Sequence, residues 1–262
     1  MMMETTTPPC ASQNQLKQWA RLAEAKYRRE DGLFLAEGVK VVEELLKSDW
    51  QTEAILVLPE KSLYWEKILA PVINRIPVYQ LKRSEWKKLS QDKEPEGVMA
   101  IVRNKEQSSF SAWLASAAGH LLIGHDISNP QNLGALMRSA WWFGFAGIIL
   151  GANSVDCTNP KVIRASMGGF FHLAVFSDVE LCAALPEIRQ NHVLIGSDAR
   201  QGVSPHPLTK KAALLLGSES HGLPDDLLEQ VTERWRIPGG SRQADSLSLP
   251  QAAAIMMYEM SK

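Results

Sequence analysis

The sequence predicts an α/β protein made of two successive units, the second built on a mostly parallel sheet. Three observations carry that expectation. Short apolar runs alternate with helix-length segments along nearly the whole chain. The runs at 121–124, 147–151, 171–176, 193–196 and 212–217 are apolar throughout rather than alternating, as strands covered on both faces are. Between them and the first half lies NKEQSSFSAWLASAA, small and polar, which reads as a boundary. The expected organisation is a tail over 1–11, a first domain over 12–104, a linker over 105–118 and a second domain over 119–262.

Each element has its own warrant. Residues 12–30 carry Leu16, Trp19, Leu22 and Tyr27 at helical spacing among Lys17, Arg21, Lys26, Arg28 and Arg29. Those cations form either a solvated helix face, the ordinary outcome, or a set of phosphate contacts. Leu33-Phe34-Leu35 reads as a strand, Glu37–Lys47 as a helix and Ala54–Leu58 as a strand. Glu60–Leu69 reads as helix, Val78–Leu81 as extended, Ser84–Leu89 as helix and Gly97–Val102 as strand. In the linker, Phe110, Trp113 and Leu114 suit a short helix. In the second domain, helices are expected near 132–143, 160–167, 179–189, 224–231 and 247–260. Ser246 suits an N-cap for the last of these, with Pro250 tolerable only in its first turn.

Composition narrows the class without naming a function. A chain of 262 residues with 45% apolar and 22% charged residues has ample material for buried cores. No apolar run approaches the roughly 18 residues of a membrane span, and MMMETTTPPC lacks the basic-then-apolar pattern of a secretory signal. Cys10, Cys157 and Cys182 are scattered, which argues against a zinc site or a disulfide framework and suits the cytoplasm. The net charge of −1 offers no global attraction to nucleic acid, so any RNA contact must come from local patches. G-x-G-x-x-G, P-loop and G-x-S-x-G fingerprints are absent from the sequence.

Three loops have the composition for chemistry. HDISNPQNLGALMRSAWWFG (125–144) sets Asp126, Asn129 and Asn132 where a strand gives way to a helix. Asn132 is a candidate N-cap, and Gly134 permits close backbone approach. Arg138, less than two turns beyond Asn132, is either an anion anchor, for which its planar fork is suited, or a surface arginine above a helix packed by Leu136, Met137, Trp141 and Trp142. Adjacent tryptophans cannot share one helix side, so one of them serves a second packing surface or a subunit contact. LLLGSESHGLP (214–224) follows a buried strand with Gly217, Glu219 and Gly222. Here Glu219 is a possible acceptor and His221 reads as a solvated loop histidine. WRIPGGSRQADSLSLPQAAAIMMY (235–258) joins a short strand, a glycine loop and a helix N-terminus, a combination that can face backbone amides toward a guest.

Taken in order, DISNPQNLGALMRSA, LLLGSESHGL and IPGGSRQADSLSLPQAAA resemble the three motifs of the SpoU–TrmH family of RNA ribose 2′-O-methyltransferases in the SPOUT superfamily. PKVIRASMGGFFHLAV (160–175) is similar to the segment that comes after the first motif. Residues 13–47, including KYRREDGLFLAEGVKVVEELL, resemble the ribosomal-protein-like substrate-binding domain that often precedes this catalytic domain. The resemblance implies a SPOUT domain with a deep C-terminal trefoil knot, a homodimer, and S-adenosylmethionine as cofactor. Carried onto this chain, it makes Arg138, Asn132, Glu219 and Ser246 the catalytic candidates. Leu216, Gly217, Ile237, Pro238, Leu247 and Ser248 become the cofactor-binding candidates, and no metal is implied. The implied reaction moves a methyl group to a ribose 2′-hydroxyl, with alignment supplying much of the gain. Arg138 suits positioning better than base catalysis, because a guanidinium keeps its proton in proteins.

The implied substrate is ribosomal RNA, with transfer RNA the alternative. Two departures stand out. Ser248 occupies the position where the family's third motif usually has asparagine, and the loop between Ile237 and Leu247 is about one residue longer than usual. They open a second reading: an RNA-binding protein of the same fold with impaired transfer.

Overall fold

The computed structural model describes residues 8–72, 74–90, 92–106, 109–240 and 247–262. Its first elements are α1 (Gln13–Arg21), α2 (Ala25–Asp31), β1 (Leu33–Glu37), α3 (Val39–Leu46), β2 (Thr52–Val57), α4 (Ser62–Leu69), β3 (Val78–Gln80), α5 (Arg83–Trp86) and β4 (Val98–Arg103). Next come α6 (Phe110–Ser116), β5 (Leu121–Gly124), α7 (Pro130–Trp142), β6 (Gly147–Gly151), α8 (Pro160–Ala165), β7 (Ala174–Val179), α9 (Leu181–Ile188), β8 (Val193–Ser197), β9 (Ala212–Leu216), α10 (Asp225–Leu228), β10 (Glu233–Trp235) and α11 (Leu249–Met260). The chain forms two compact units. One comprises Met1–Lys105 with Thr158–Phe171, and the other Glu106–Cys157 with His172–Lys262.

The first unit is built on a four-stranded sheet ordered β1-β4-β2-β3. One apolar cluster gathers Leu16, Trp19 and Leu22 with Leu56, Leu81, Trp86 and Leu89. A second, aromatic cluster joins Phe34, Trp50, Phe170 and Phe171, with ring centroids 5.1–6.4 Å apart. The strand expected at 171–176 therefore begins later, at Ala174, because Phe170 and Phe171 lie in a 3-10 turn (Gly169–His172) and are buried in this unit. Gly168, at φ +92°, lets that turn close on α3: a Cβ there would sit 2.4 Å from the Glu44 Cβ. Nothing in the sequence pattern announces that 158–171 belongs here.

The single helix expected over 12–30 is two. Ser12 caps α1 through a reciprocal box with Gln15. The chain then turns at Leu22–Glu24, and the Arg28 guanidinium folds beneath the turn. It donates to the carbonyls of Leu22 and Ala23 (both 2.9 Å) and to Thr158 Oγ1 (3.2 Å), satisfying acceptors that a helix end leaves orphaned. Arg28 is 2% exposed, so this cation supports the fold and is not available to phosphate.

The second unit holds six parallel strands ordered β10-β8-β9-β5-β6-β7. One core cluster joins Leu121, Ile123, Ile149, Leu194 and Leu215 to Leu181, Leu185 and Ile188 of α9 and Leu227 and Leu228 of α10. Helix α11 packs against α7 and β9. Its N-cap is Ser248, in extended backbone, with Pro250 in the first turn where its missing N–H costs nothing. The start therefore falls two residues beyond Ser246, and Ser246 itself lies outside the described residues. Strands β5 and β9 are hydrogen-bonded neighbours with Gly124 opposite Leu216, so the loops that leave their carboxyl ends are side by side.

Candidate functional site

The loop after β5 is held from three directions. His125 N donates to the Leu216 carbonyl at 2.8 Å, carrying the β5–β9 ladder one residue further. Asp126 adopts left-handed backbone (φ 54°), a conformation Asp tolerates better than most residues. Ile127, fully buried, is tied to the loop after β6: its N donates to Ser154 Oγ (3.2 Å) and its carbonyl accepts from Val155 N (2.8 Å). Ser154 carries no sequence signal for this role.

The cap of α7 is Asn129, not Asn132. Asn129 Oδ1 accepts from Gln131 N (2.9 Å) and Asn132 N (3.3 Å), and Pro130 occupies the first helical position. The Asn-Pro dipeptide is the signal that identifies it, because proline favours the position directly after a cap. Freed from capping, the Asn132 side chain projects from the first turn, and its Nδ2 donates to Glu219 Oε1 at 2.7 Å. The two residues are 87 apart in sequence, and the pairing of β5 with β9 is what brings their loops together.

Glu219 stands in a turn that closes on itself. Ser218 and Gly222 form an antiparallel bridge, Gly222 N donates to the Ser218 carbonyl (2.9 Å), and His221 N donates to Ser218 Oγ (3.2 Å). Gly217 is buried against this turn: a Cβ there would lie 1.9 Å from the Gly222 carbonyl carbon and 2.2 Å from Leu223 N. Only glycine fits. His221 is exposed, as the sequence suggests. Leu216 is buried, and its carbonyl is already engaged by His125 N.

Strand β10 feeds the third loop. Fully buried Trp235 anchors it, and the 198–203 segment clasps it through Val203 N to the Arg234 carbonyl (2.9 Å) and Arg236 N to the Val203 carbonyl (2.8 Å). Beyond the clasp Ile237 is half-buried, and among the described residues its backbone amide makes no hydrogen bond. Pro238 is exposed, as are Leu247 and Ser248. These four residues flank 241–246, outside the described residues. Arg138 is exposed on α7, six residues beyond Asn132 and thus about 9 Å further along the axis. The structure thus joins Asn132 to Glu219 directly and sets Gly217 within the same turn. Arg138, though on the same helix as Asn132, is not brought into contact with either.

A nucleoside cofactor fits these features. A half-buried aliphatic side chain beside a backbone amide that has no partner among the described residues, at Ile237, suits a purine ring and its hydrogen-bonding edge. Among the described residues no cluster of His, Cys, Asp or Glu is placed to hold a metal, and no helix is long and apolar enough to cross a membrane. Burial pushes the Cys157 thiol up to about 11, so it is an inert thiol.

Known proteins share both units of this chain. Residues 119–258 match the model of the SpoU rRNA methylase family, and residues 13–100 match that of an MRM3-like substrate-binding domain. The chain is 30% identical over 253 residues to the 23S rRNA (guanosine(2553)-2′-O)-methyltransferase RlmP of Bacillus subtilis, covering 95% of this chain and 97% of that one. Among solved structures it is similar to a putative RNA methyltransferase of the TrmH family from Porphyromonas gingivalis, with 28% identity, a TM-score of 0.78, and 95% and 97% of the two chains covered. It shares the fold of the S-adenosylmethionine-bound rRNA methyltransferase from Sinorhizobium meliloti at 24% identity, with a TM-score of 0.81 and 97% and 96% coverage.

Proposed function

The chain belongs to the SpoU rRNA methylase family, and from that premise we propose that it transfers a methyl group from S-adenosylmethionine to a ribose 2′-hydroxyl of ribosomal RNA. The observation that carries the reading is the Asn132–Glu219 hydrogen bond, which joins two loops of chemistry-bearing composition beside a glycine turn that admits no side chain. The cofactor, when bound, supplies an electrophilic sulfonium methyl. Leu216, Gly217, Ile237, Pro238, Leu247 and Ser248 would hold it, Ile237 by its backbone amide.

The protein's own residues then do three things. Asn132 and Glu219 fix one another and so fix the first turn of α7 against the 217–222 turn. Arg138, exposed on that helix, clamps an RNA phosphate with its planar fork and orients the 2′-hydroxyl, the kind of alignment that lowers a barrier most. Ser246, in the third motif, completes the set. An Arg138→Lys protein should bind cofactor normally and lose most of its turnover, because a lysine cannot hold a phosphate bidentately. Wild-type turnover in that variant would remove the clamp from the mechanism.

Ser248 does not weaken the enzyme reading. It stands at the N-cap position of α11 in extended backbone without a side-chain cap hydrogen bond, so the start of this helix does not depend on an asparagine there.

The remaining assignments extend the same reading. Residues 12–104 form the RNA-binding domain, 105–118 the linker and 119–262, apart from the 158–171 excursion into the first unit, the methyltransferase domain. The second unit carries the trefoil knot that the family resemblance implies. The protein works in the cytoplasm as a homodimer. Trp142 (82% exposed), Ile255 and Tyr258, apolar and exposed on the paired helices α7 and α11, supply a self-complementary face for a second copy. The deciding experiment is transfer of labelled methyl from S-adenosylmethionine to protein-free ribosomal RNA, with nucleoside analysis of the product. A 2′-O-methylated nucleoside supports the reading, label in transfer RNA alone moves the substrate, and no label with cofactor bound leaves an RNA-binding protein.

A further inference from the structure

Resting on the RNA reading, we propose that the first unit docks the phosphate backbone of RNA on one defined face, formed by α1 and the segment that begins with α5. Both elements leave the same sheet edge. Gln80, the last residue of β3, donates from its N to the Pro9 carbonyl (2.9 Å) and bridges Cys10 in parallel. Each segment then reaches its helix cap two residues later, at Ser12 and at Lys82, so the helices start side by side. They also share one core. Leu16 and Trp19 of α1 meet Trp86 and Leu89 in a single apolar cluster, and the Trp19 ring lies 5.8 Å from that of Tyr79.

What this face presents outward is positive charge. From 82 to 88 the chain reads KRSEWKK, four cations in seven residues. The one acid among them, Glu85, accepts from Lys82 N at 2.9 Å through Oε2, and the four cations outweigh its single charge. Arg83 is paired with Glu60 (3.5 Å). Lys82, Lys87 and Lys88 are exposed and, among the described residues, make no ion pair; the same holds for Lys17 on α1. Asn14 and Gln18, exposed at the neighbouring helical positions, add amide donors. Several other cations of this unit are neutralised locally. Lys40 and Lys47 lie between Glu43 and Glu44, Arg21 is held by Asp31, and Arg103 by Glu53. Arg29, Lys67, Arg75 and Lys93, exposed and without an ion pair among the described residues, are scattered over other segments and do not cluster.

The reason for this contrast is thermodynamic. A lysine already paired releases little counterion when a phosphate arrives, whereas an unpaired one contributes its full share to a salt-dependent affinity. The overall charge of −1 therefore does not exclude RNA binding, because the attraction is concentrated where unpaired lysines cluster.

The test uses full-length protein and protein-free large-subunit ribosomal RNA, with affinity measured across a salt series. Wild type is compared with a Lys17/Lys82/Lys87/Lys88→Gln variant and with a Lys40/Lys47→Gln control. The face variant should lose roughly a hundredfold in affinity at low salt, and its log–log salt slope should flatten by about three units, one phosphate contact contributing about 0.7–0.9. Cofactor binding should stay intact in both, showing that the fold survives. An equal loss in the control, or an unchanged slope in the face variant, overturns the face while leaving the RNA reading in place. Absence of salt-dependent binding by wild type overturns both.

Discussion

Asn132 Nδ2 and Glu219 Oε1 meet at 2.7 Å across 87 residues of sequence, and the contact exists because β5 and β9 are adjacent in the sheet. The bond ties the first turn of one helix to the tip of a turn from a different strand. If its purpose is to lock the two loops, the residues act as a unit. Asn132→Ala and Glu219→Ala should each lower turnover at least tenfold, and the double variant should be little worse than the poorer single one. The double-mutant cycle should return a coupling of about 1.4 kcal/mol or more, the tenfold loss expressed as free energy and on the scale of a hydrogen bond to a charged group. Additive losses would mean that the two side chains serve separate purposes.

Gly217 tests the turn itself. A methyl group 1.9 Å from the Gly222 carbonyl carbon cannot be accommodated by a rotamer change, because the obstacle is backbone. Gly217→Ala must therefore shift the 218–222 turn and carry Glu219 with it. Cofactor binding by calorimetry should weaken a hundredfold or more, with a stability loss of about 1–3 kcal/mol, the usual cost of overpacking. Gly222→Ala is the control. It has φ +71° but open space around it, so strain without a clash should cost less. Equal effects at the two positions would refute the steric argument.

Much of this geometry is legible in the sequence, for identifiable reasons. The strands of the second unit are buried on both faces, so each reads as a continuous apolar run, and the motif loops are placed by the ends of those runs. Long-range geometry is less visible. Asn132 has the right spacing to the apolar stripe for a cap, yet the Asn-Pro step assigns that role to Asn129. Arg28 reads as a surface cation, and nothing in its sequence neighbours reveals that its guanidinium satisfies carbonyls at the end of α1. The excursion of 158–171 into the first unit is invisible, since Phe170 and Phe171 read equally well as the start of a buried strand.

Acid should loosen the second unit in a predictable window. Burial holds the ring of His192 below the ordinary histidine range, and His120 likewise. Geometry agrees. His120 Nδ1 accepts from Ala212 N (3.0 Å), so protonation there breaks a bond at the start of β9, and His192 Nε2 lies 3.1 Å from the Gly119 carbonyl. Both groups have depressed folded-state values, so their stabilising effect is present above the unfolded value near 6.5. It is lost as pH falls through the folded ones. Denaturant midpoints should therefore drop as pH falls below the ordinary histidine value near 6.5, and a His120→Gln/His192→Gln variant should show a shallower drop over the same range. An identical pH profile in the variant would assign the acid sensitivity to carboxylates elsewhere.

The adjacent tryptophans of α7 differ in function. Trp141 stacks on His172 with ring centroids 4.6 Å apart and planes 9° apart, an intramolecular partner that accounts for its position. Trp142, one residue on and about 100° around the helix, is 82% exposed with Ile255 and Tyr258 as exposed apolar company on α11. A tryptophan left in water is a liability that a second copy would remove, and a twofold interface would bury the same residues from both chains. Sedimentation of wild type should give a dimer. Trp142→Glu should give a folded monomer, because an uncompensated carboxylate would then be desolvated on each side. Trp141→Ala should leave the dimer intact while lowering the melting temperature, since it removes a ring contact within the chain. A monomeric wild type, or a dimer unaffected by Trp142→Glu, would assign that face to a different occupant.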